Sequence, residues 1–363
     1  SWVWWCLGLL TLVFTGVAMM LPDVMLHENY HGLETIRVVA QGEGDPLHAY
    51  EPYGFLHVAL ARILGYLAPD GHQTYWASRI AGGLCIPAAF LFFRALSGKA
   101  KLSLYAVSFL ALQPGFLFAA RAETVATTGL LLCLLSAWLC LRASQLRSIK
   151  ALCVAISACV LLANFRLIGP ILAPFTAAFL LCPLLEPKEE HLKGSSWLKA
   201  LFVSALVLVS LSFMHLSHTL EAVSAGHSGR YGLDYYPPLV LSQSWVALLV
   251  AVAALVGLLW GLRSQKWRLF VLLLSVLVLS LATMPAANSW LSTVRYQSWQ
   301  LIPLSLGLGY GVHFLGCRKA PLGFALVLVF LMTLFATVRG GFDLSFERHP
   351  ESAQLDVWRK GYE

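Results

Sequence analysis

Residues 2–22, WVWWCLGLLTLVFTGVAMMLP, run without a charge into residues 23–57, DVMLHENYHGLETIRVVAQGEGDPLHAYEPYGFLH. About 20 apolar residues at a helical rise match the hydrocarbon thickness of a bilayer. The junction therefore predicts a membrane helix that surfaces near Asp23, so that His27, Glu28, His31 and Glu34 emerge directly from lipid. Ionisable groups are costly inside hydrocarbon, which places this cluster in water or in a protein-walled cavity. The polar loop 23–75 is thus the candidate active-site loop.

Working outward, the composition agrees with a membrane reading. Only 12% of residues are charged and 58% are hydrophobic, a balance that no soluble domain of this length needs. Apolar runs bounded by charges or turn residues give an all-α polytopic protein with about eleven transmembrane helices. They are expected at 2–22, 76–94, 102–120, 124–142, 149–164, 168–185, 197–214, 239–262, 267–285, 299–316 and 320–338. Residues 1–363 read as one transmembrane domain, with a short polar tail at 339–363 and no separate soluble domain. Within the first loop, residues 54–67 show apolar residues at helical spacing with His57 and Arg62 on the other side, as in a short helix lying along the membrane surface. No internal repeat is evident, which weighs against transporters built from duplicated halves.

The basic residues alternate between loops. Arg94, Lys99 and Lys101 are followed by Arg142, Arg147 and Lys150, then by Lys188, Lys193 and Lys199, by Arg263, Lys266 and Arg268, and by Arg318 and Lys319. This positive-inside pattern predicts a cytoplasmic N-terminus and puts loop 23–75 and the tail on the periplasmic or lumenal side, as in a bacterial inner-membrane protein. The net charge of +7 is therefore a topology signal, and no nucleic-acid partner is expected, because no loop gathers basic and aromatic residues on one face. A cleaved signal peptide is not expected either: the first run is too long and no basic segment precedes it. The eight cysteines all fall in helices or at their cytoplasmic ends, so no structural disulfide is expected.

The outer face collects the remaining chemistry: Arg121 and Glu123, Asn164 and Arg166, the segment His215–Pro238, and Asn288 with Arg295 and Tyr296. Water-facing loops are polar in any case, and many of these groups could be solvated or capping residues. Arg79, Arg121, Arg166 and Arg295 stand apart because each sits against an apolar run. A guanidinium beside hydrocarbon wants an anion, either a carboxylate or a phosphate gripped through several N–H donors. Helix-end snorkelling and interhelical ion pairs, for example Arg121 with Glu28, are the alternative.

The order of elements carries a resemblance. An acidic residue follows the first helix; then come a P-Y-G turn (52–54), W-A-S-R-I (76–80), an apolar helix, a basic turn, Q-P-G-F (113–116) and R-A-E (121–123). This order resembles the GT-C superfamily of membrane glycosyltransferases, most closely the protein mannosyltransferase and aminoarabinose transferase group, over residues 20–142. A weaker similarity continues in RYGLDYYPP (230–238) and VRYQSWQLIP (294–303). One departure is plain: family members usually carry Asp-Glu after the first helix, whereas here His27 precedes Glu28.

The resemblance implies transfer of a sugar from a polyprenyl-phosphate donor to a glycan, lipid or protein acceptor at the outer side of the membrane. A carboxylate with a raised pKa suits deprotonation of the acceptor hydroxyl, which selects Glu28. Fixed guanidinium groups suit the charge that gathers on the leaving phosphate, which selects Arg295, with Arg166 and Arg121 behind it. His27, Glu51, Arg79, Arg230, Tyr231, Asp234 and Tyr296 are expected around the substrates, and Glu123 is expected to bind an acceptor group or help to hold a divalent cation. A catalytically silent GT-C-derived subunit of a membrane complex, with partner subunits, stays open because of His27. A transporter or flippase fits less well, since its ionisable groups should lie at the bilayer centre.

Overall fold

The computed structural model describes residues 2–21, 55–64, 73–122, 125–165, 169–185, 194–211, 245–283 and 298–316. These residues form helices joined by turns. In chain order they are α1 (Trp2–Met20), α2 (Phe55–Leu64), α3 (Gln73–Ser97), α4 (Ala100–Ala111), α5 (Pro114–Ala120), α6 (Ala126–Leu146), α7 (Ile149–Ala163) and α8 (Gly169–Ala177). A short 3-10 turn at Ala178–Leu181 leads into α9 (Cys182–Leu185). There follow α10 (Gly194–Leu211), α11 (Trp245–Ser264), α12 (Lys266–Thr283) and α13 (Leu301–Gly316), the last entered through a 3-10 turn at Ser298–Gln300.

Among the described residues three helical spans, Trp2–Met20, Tyr75–Ser97 and Ala126–Leu146, are long and apolar enough to cross a membrane. The surface agrees. Trp5, Leu9 and Leu12 on α1, Phe202 and Val209 on α10, and Leu255 and Leu259 on α11 all stand exposed. Bare apolar faces on several helices are what lipid, not water, tolerates. The chain is an integral membrane protein.

Several expected helices are shorter or divided. The run expected at 102–120 breaks between α4 and α5, where Gln113 is extended (φ −67, ψ 125) ahead of Pro114. The proline ring disfavours helical backbone at the residue before it, while its missing N–H costs nothing at the first position of the next helix. The run expected at 168–185 is likewise divided among α8, the 3-10 turn and α9. The surface helix expected at 54–67 is Phe55–Leu64. The helix expected at 320–338 and the tail at 339–363 lie outside the described residues.

Helix α3 is central and touches α1, α2, α4, α5 and α6. It can approach α1 and α5 closely because of Gly82 and Gly83: a Cβ at Gly82 would stand 2.7 Å from Ala120 Cβ, and one at Gly83 would collide with the Thr15 hydroxyl. Phe90, Phe92 and Phe93 further along α3 and Phe116 on α5 are fully buried in the core. Helix α6 packs on α7 and α8, and α13 packs between α11 and α4. The α1–α3 and α6–α7 pairs are antiparallel, as shown by the Arg79–Ala18 and Ser136–Ala158 contacts. Helices α3 and α6 run parallel, joined by Thr127–Ser78 at one end and Gln145–Ala95 at the other.

Candidate active site

The end of α1, the start of α3, the end of α5, the start of α6 and the end of α7 meet at one end of this bundle. Four observations place them there. Arg79 reaches Ala18 and Leu21, Gly82 faces Ala120, Thr127 bonds Ser78, and Phe165 lies 3.4 Å from where a Cβ on Gly129 would stand. Loop 22–54, the R-A-E turn and Arg166 all leave from these flanks in the sequence.

Arg79 is 3% exposed. Its Nε donates to the carbonyl oxygen of Ala18 at 2.7 Å, and its Nη2 to that of Leu21 at 3.0 Å. The last carbonyls of a helix lack intrahelical donors and carry partial negative charge, so a guanidinium is a fitting cap. Two of the bonds of Arg79 thus go to main-chain oxygens at the end of α1. Arg121 follows α5 and is 1% exposed. Its guanidinium carbon lies 5.9 Å from the centre of the Phe118 ring, within cation–π range. Because Gly82 touches Ala120, these two buried guanidinium groups belong to the same end of the bundle.

A second set of contacts joins the starts of α2, α3 and α6. The Thr127 hydroxyl donates to the Ser78 carbonyl at 2.9 Å, and the Cys85 thiol to the Thr127 carbonyl at 3.3 Å. Next in sequence, the Thr128 hydroxyl and His57 Nδ1 share a hydrogen bond of 3.1 Å. Around them Ala61, Leu64, Ala77, Val125 and Phe165 form a small apolar cluster. This corrects the expected orientation of α2. His57 is 0% exposed and shares the inward face with Ala61 and Leu64, while Ile63 and Arg62 face outward. Small alanines, Ala61 on α2 and Ala77 on α3, leave room there, and the Thr128 hydroxyl gives Nδ1 of the buried imidazole a partner.

Asn164 ends α7 with its side-chain Nδ2 donating to Val160 O at 2.9 Å, a local capping contact. Gln300 Nε2 donates to Ser280 Oγ at 2.8 Å, tying the entry of α13 to α12. Of the residues singled out in the sequence, Glu28, His27, Glu51, Glu123, Arg166, Arg230, Tyr231, Asp234, Arg295 and Tyr296 lie outside the described residues. Among the described residues no three His, Cys, Asp or Glu side chains gather as metal ligands. The sequence reading missed Thr127 and Thr128. Two adjacent hydroxyls at the start of an apolar helix, just after R-A-E, were the available signal.

No protein-family model matches the chain, and no curated protein sequence matches it. Solved structures do. ArnT from Cupriavidus metallidurans bound to undecaprenyl phosphate superposes with a TM-score of 0.61 at 15% identity, over 96% of this chain and 66% of that one. The archaeal oligosaccharyltransferase AglB from Archaeoglobus fulgidus, in complex with an inhibitory peptide and a dolichol-phosphate, gives 0.58 at 13% identity, over 99% and 59%. The apo form of an Archaeoglobus fulgidus oligosaccharyltransferase gives 0.59 at 12% identity, over 98% and 59%. The chain thus spans 59–66% of the length of these structures. At this level of identity the likeness shows a shared fold: this chain folds as these membrane-protein structures do.

Proposed function

We propose that this protein is a glycosyltransferase that moves a sugar from a polyprenyl-phosphate donor to an acceptor at the periplasmic or lumenal side of the membrane. One observation carries the reading. Buried Arg79 and Arg121 sit at the end of a GT-C-like membrane bundle from which the Glu28 loop and the Glu123 turn depart. Among structures of this fold, one holds dolichol-phosphate and another undecaprenyl phosphate. The alternating basic loops support a cytoplasmic N-terminus in a bacterial inner membrane.

In the proposed reaction the acceptor oxygen attacks the anomeric carbon while Glu28 takes its proton. The bond from that carbon to the phosphate oxygen breaks, and the electron pair leaves with the polyprenyl phosphate. Arg295, Arg166 and Arg121 stabilise the charge on that leaving group, an effect that grows where water is excluded. His27, Glu51, Arg230, Tyr231, Asp234 and Tyr296 surround the sugar and acceptor, and Glu123 holds the acceptor or a divalent cation. Arg79 fixes the point at which the loop bearing Glu28 begins.

The test is sugar transfer in proteoliposomes, using a panel of radiolabelled polyprenyl-phosphate sugars with a membrane extract as acceptor. Label moving from one donor into acceptor is the expected result. Wild-type protein that neither binds nor consumes any donor overturns the reading. It would leave a catalytically silent subunit, consistent with His27 standing where a second carboxylate is usual.

A further inference from the structure

We infer that His57 is a positioning residue for this reaction: through Thr128 it ties the start of α2, which follows the segment bearing Glu28 in the sequence, to the start of α6, which follows R-A-E. The inference rests on the glycosyltransferase reading and adds a residue to it. His57 lies in the first turn of α2, the helix that follows loop 22–54, and Thr128 lies in the first turn of α6, the helix that follows R-A-E. Their bond of 3.1 Å joins the two helix starts directly.

The bond belongs to a continuous series. The carbonyls of Ala18 and Leu21, at the near end of the loop, accept from Arg79. Arg79 adjoins Ser78, whose carbonyl accepts from Thr127. Thr127 adjoins Thr128, which meets His57 at the far end. Both ends of the loop are thus referenced to the same pair of threonines.

Packing alone does not call for a histidine here. A leucine at position 57 would suit the neighbouring Ala61, Leu64 and Phe165 without the desolvation cost of an imidazole. What an imidazole adds is direction: a hydrogen bond weakens steeply off its axis, whereas apolar contact does not. A directional bond at the mouth of a catalytic loop holds the geometry on which rate depends.

Kinetics of the full chain in proteoliposomes test this, with donor KM and kcat measured separately and thermal stability followed in parallel. Replacement of His57 by leucine (His57→Leu) fills the volume without the bond, and Thr128→Val does the same from the other side. Each is expected to lower kcat about tenfold or more while leaving the donor KM near wild type, with a fall in melting temperature no larger than that of Thr127→Val, which removes a hydrogen bond of the same kind. Conservative variants that restore a hydrogen-bonding group, His57→Asn and Thr128→Ser, are expected to recover most of kcat, and His57→Leu/Thr128→Val together to lose no more than the worse single change. Wild-type kcat in His57→Leu or Thr128→Val overturns the inference. So do losses that multiply in the double variant, or losses that follow the melting temperature and are not rescued. An inactive wild type overturns the glycosyltransferase reading and this role with it, an outcome distinct from an active wild type with indifferent variants.

Discussion

Two seams hold this bundle together by different means. Around α3 and α6, near the start of the candidate loop, the contacts are directional: Arg79 to Ala18 and Leu21, Thr127 to Ser78, His57 with Thr128. Between α11 and α13 the contact is backbone against backbone. A Cβ on Gly257 would collide with the Gly307 carbonyl, and one on Gly307 with the Ala254 carbonyl. Trp260 stacks on Phe314 at 4.1 Å beside them. Lipid is as apolar as the side chains, so helices in a membrane associate through close packing and hydrogen bonds rather than by escape from water. The glycine seam fixes a distance; the polar seam fixes positions. It is the polar seam that lies where the candidate chemistry leaves the bundle.

The contrast can be broken most forcefully at the glycines. Gly257→Leu or Gly307→Leu is expected to cost ~3 kcal/mol or more by overpacking, seen as loss of the monodisperse peak in detergent or a large fall in melting temperature. A small effect would mean that α11 and α13 are not in backbone contact. Next is Arg79→Ala, which removes a donor from the buried Ala18 carbonyl and from the part-buried Leu21 carbonyl. With about 1–3 kcal/mol for each group left unsatisfied, both the melting temperature and transfer should fall, and Arg79→Lys should recover only part, since one ammonium cannot reproduce the guanidinium fork.

Smaller still is Thr127→Val, which keeps the shape and removes the donor to Ser78. A loss of about 1 kcal/mol is expected in unfolding, with a larger proportional loss in transfer if the polar seam serves the site. Gln300→Ala removes the contact to Ser280 at the 3-10 turn that touches α5 and α6 and follows Arg295 and Tyr296 in the sequence. A loss of about 0.5–1.5 kcal/mol of stability is expected, with a modest fall in transfer because this turn follows the segment bearing Arg295; unchanged transfer would separate the entry of α13 from the site.

Much of the scaffold was legible from local rules. The uncharged run before Asp23, the alternating basic turns and the apolar runs between them located most helices, because lipid imposes a length and an exclusion of charge that show in one dimension. Helix interruptions were less visible. Pro114 announces the break before α5, yet Pro87 stands inside α3 without ending it, since neighbours in a membrane bundle can satisfy the freed backbone. The orientation of α2 could not be read from amphipathicity, which counts His57 as polar and therefore outward. The Thr128 partner is separated from it by 71 residues. Arg121 stood out in the sequence as a guanidinium between two apolar runs, with an anion or snorkelling both open, and its burial beside Phe118 has no signature there. Which oxygens Arg79 would meet was not legible either, because main-chain carbonyls have no signature in sequence.

The most direct measurement of the central proposal compares wild type with Glu28→Gln in the same proteoliposomes, following both polyprenyl-phosphate binding and release of free polyprenyl phosphate from the sugar donor. Glutamine keeps the size and removes the base. The expected result is unchanged lipid-phosphate binding with turnover reduced by about 10²-fold or more, the scale of a lost general base. Turnover in Glu28→Gln equal to wild type would contradict the assignment of Glu28, and absence of turnover in wild type with every donor would contradict glycosyl transfer itself.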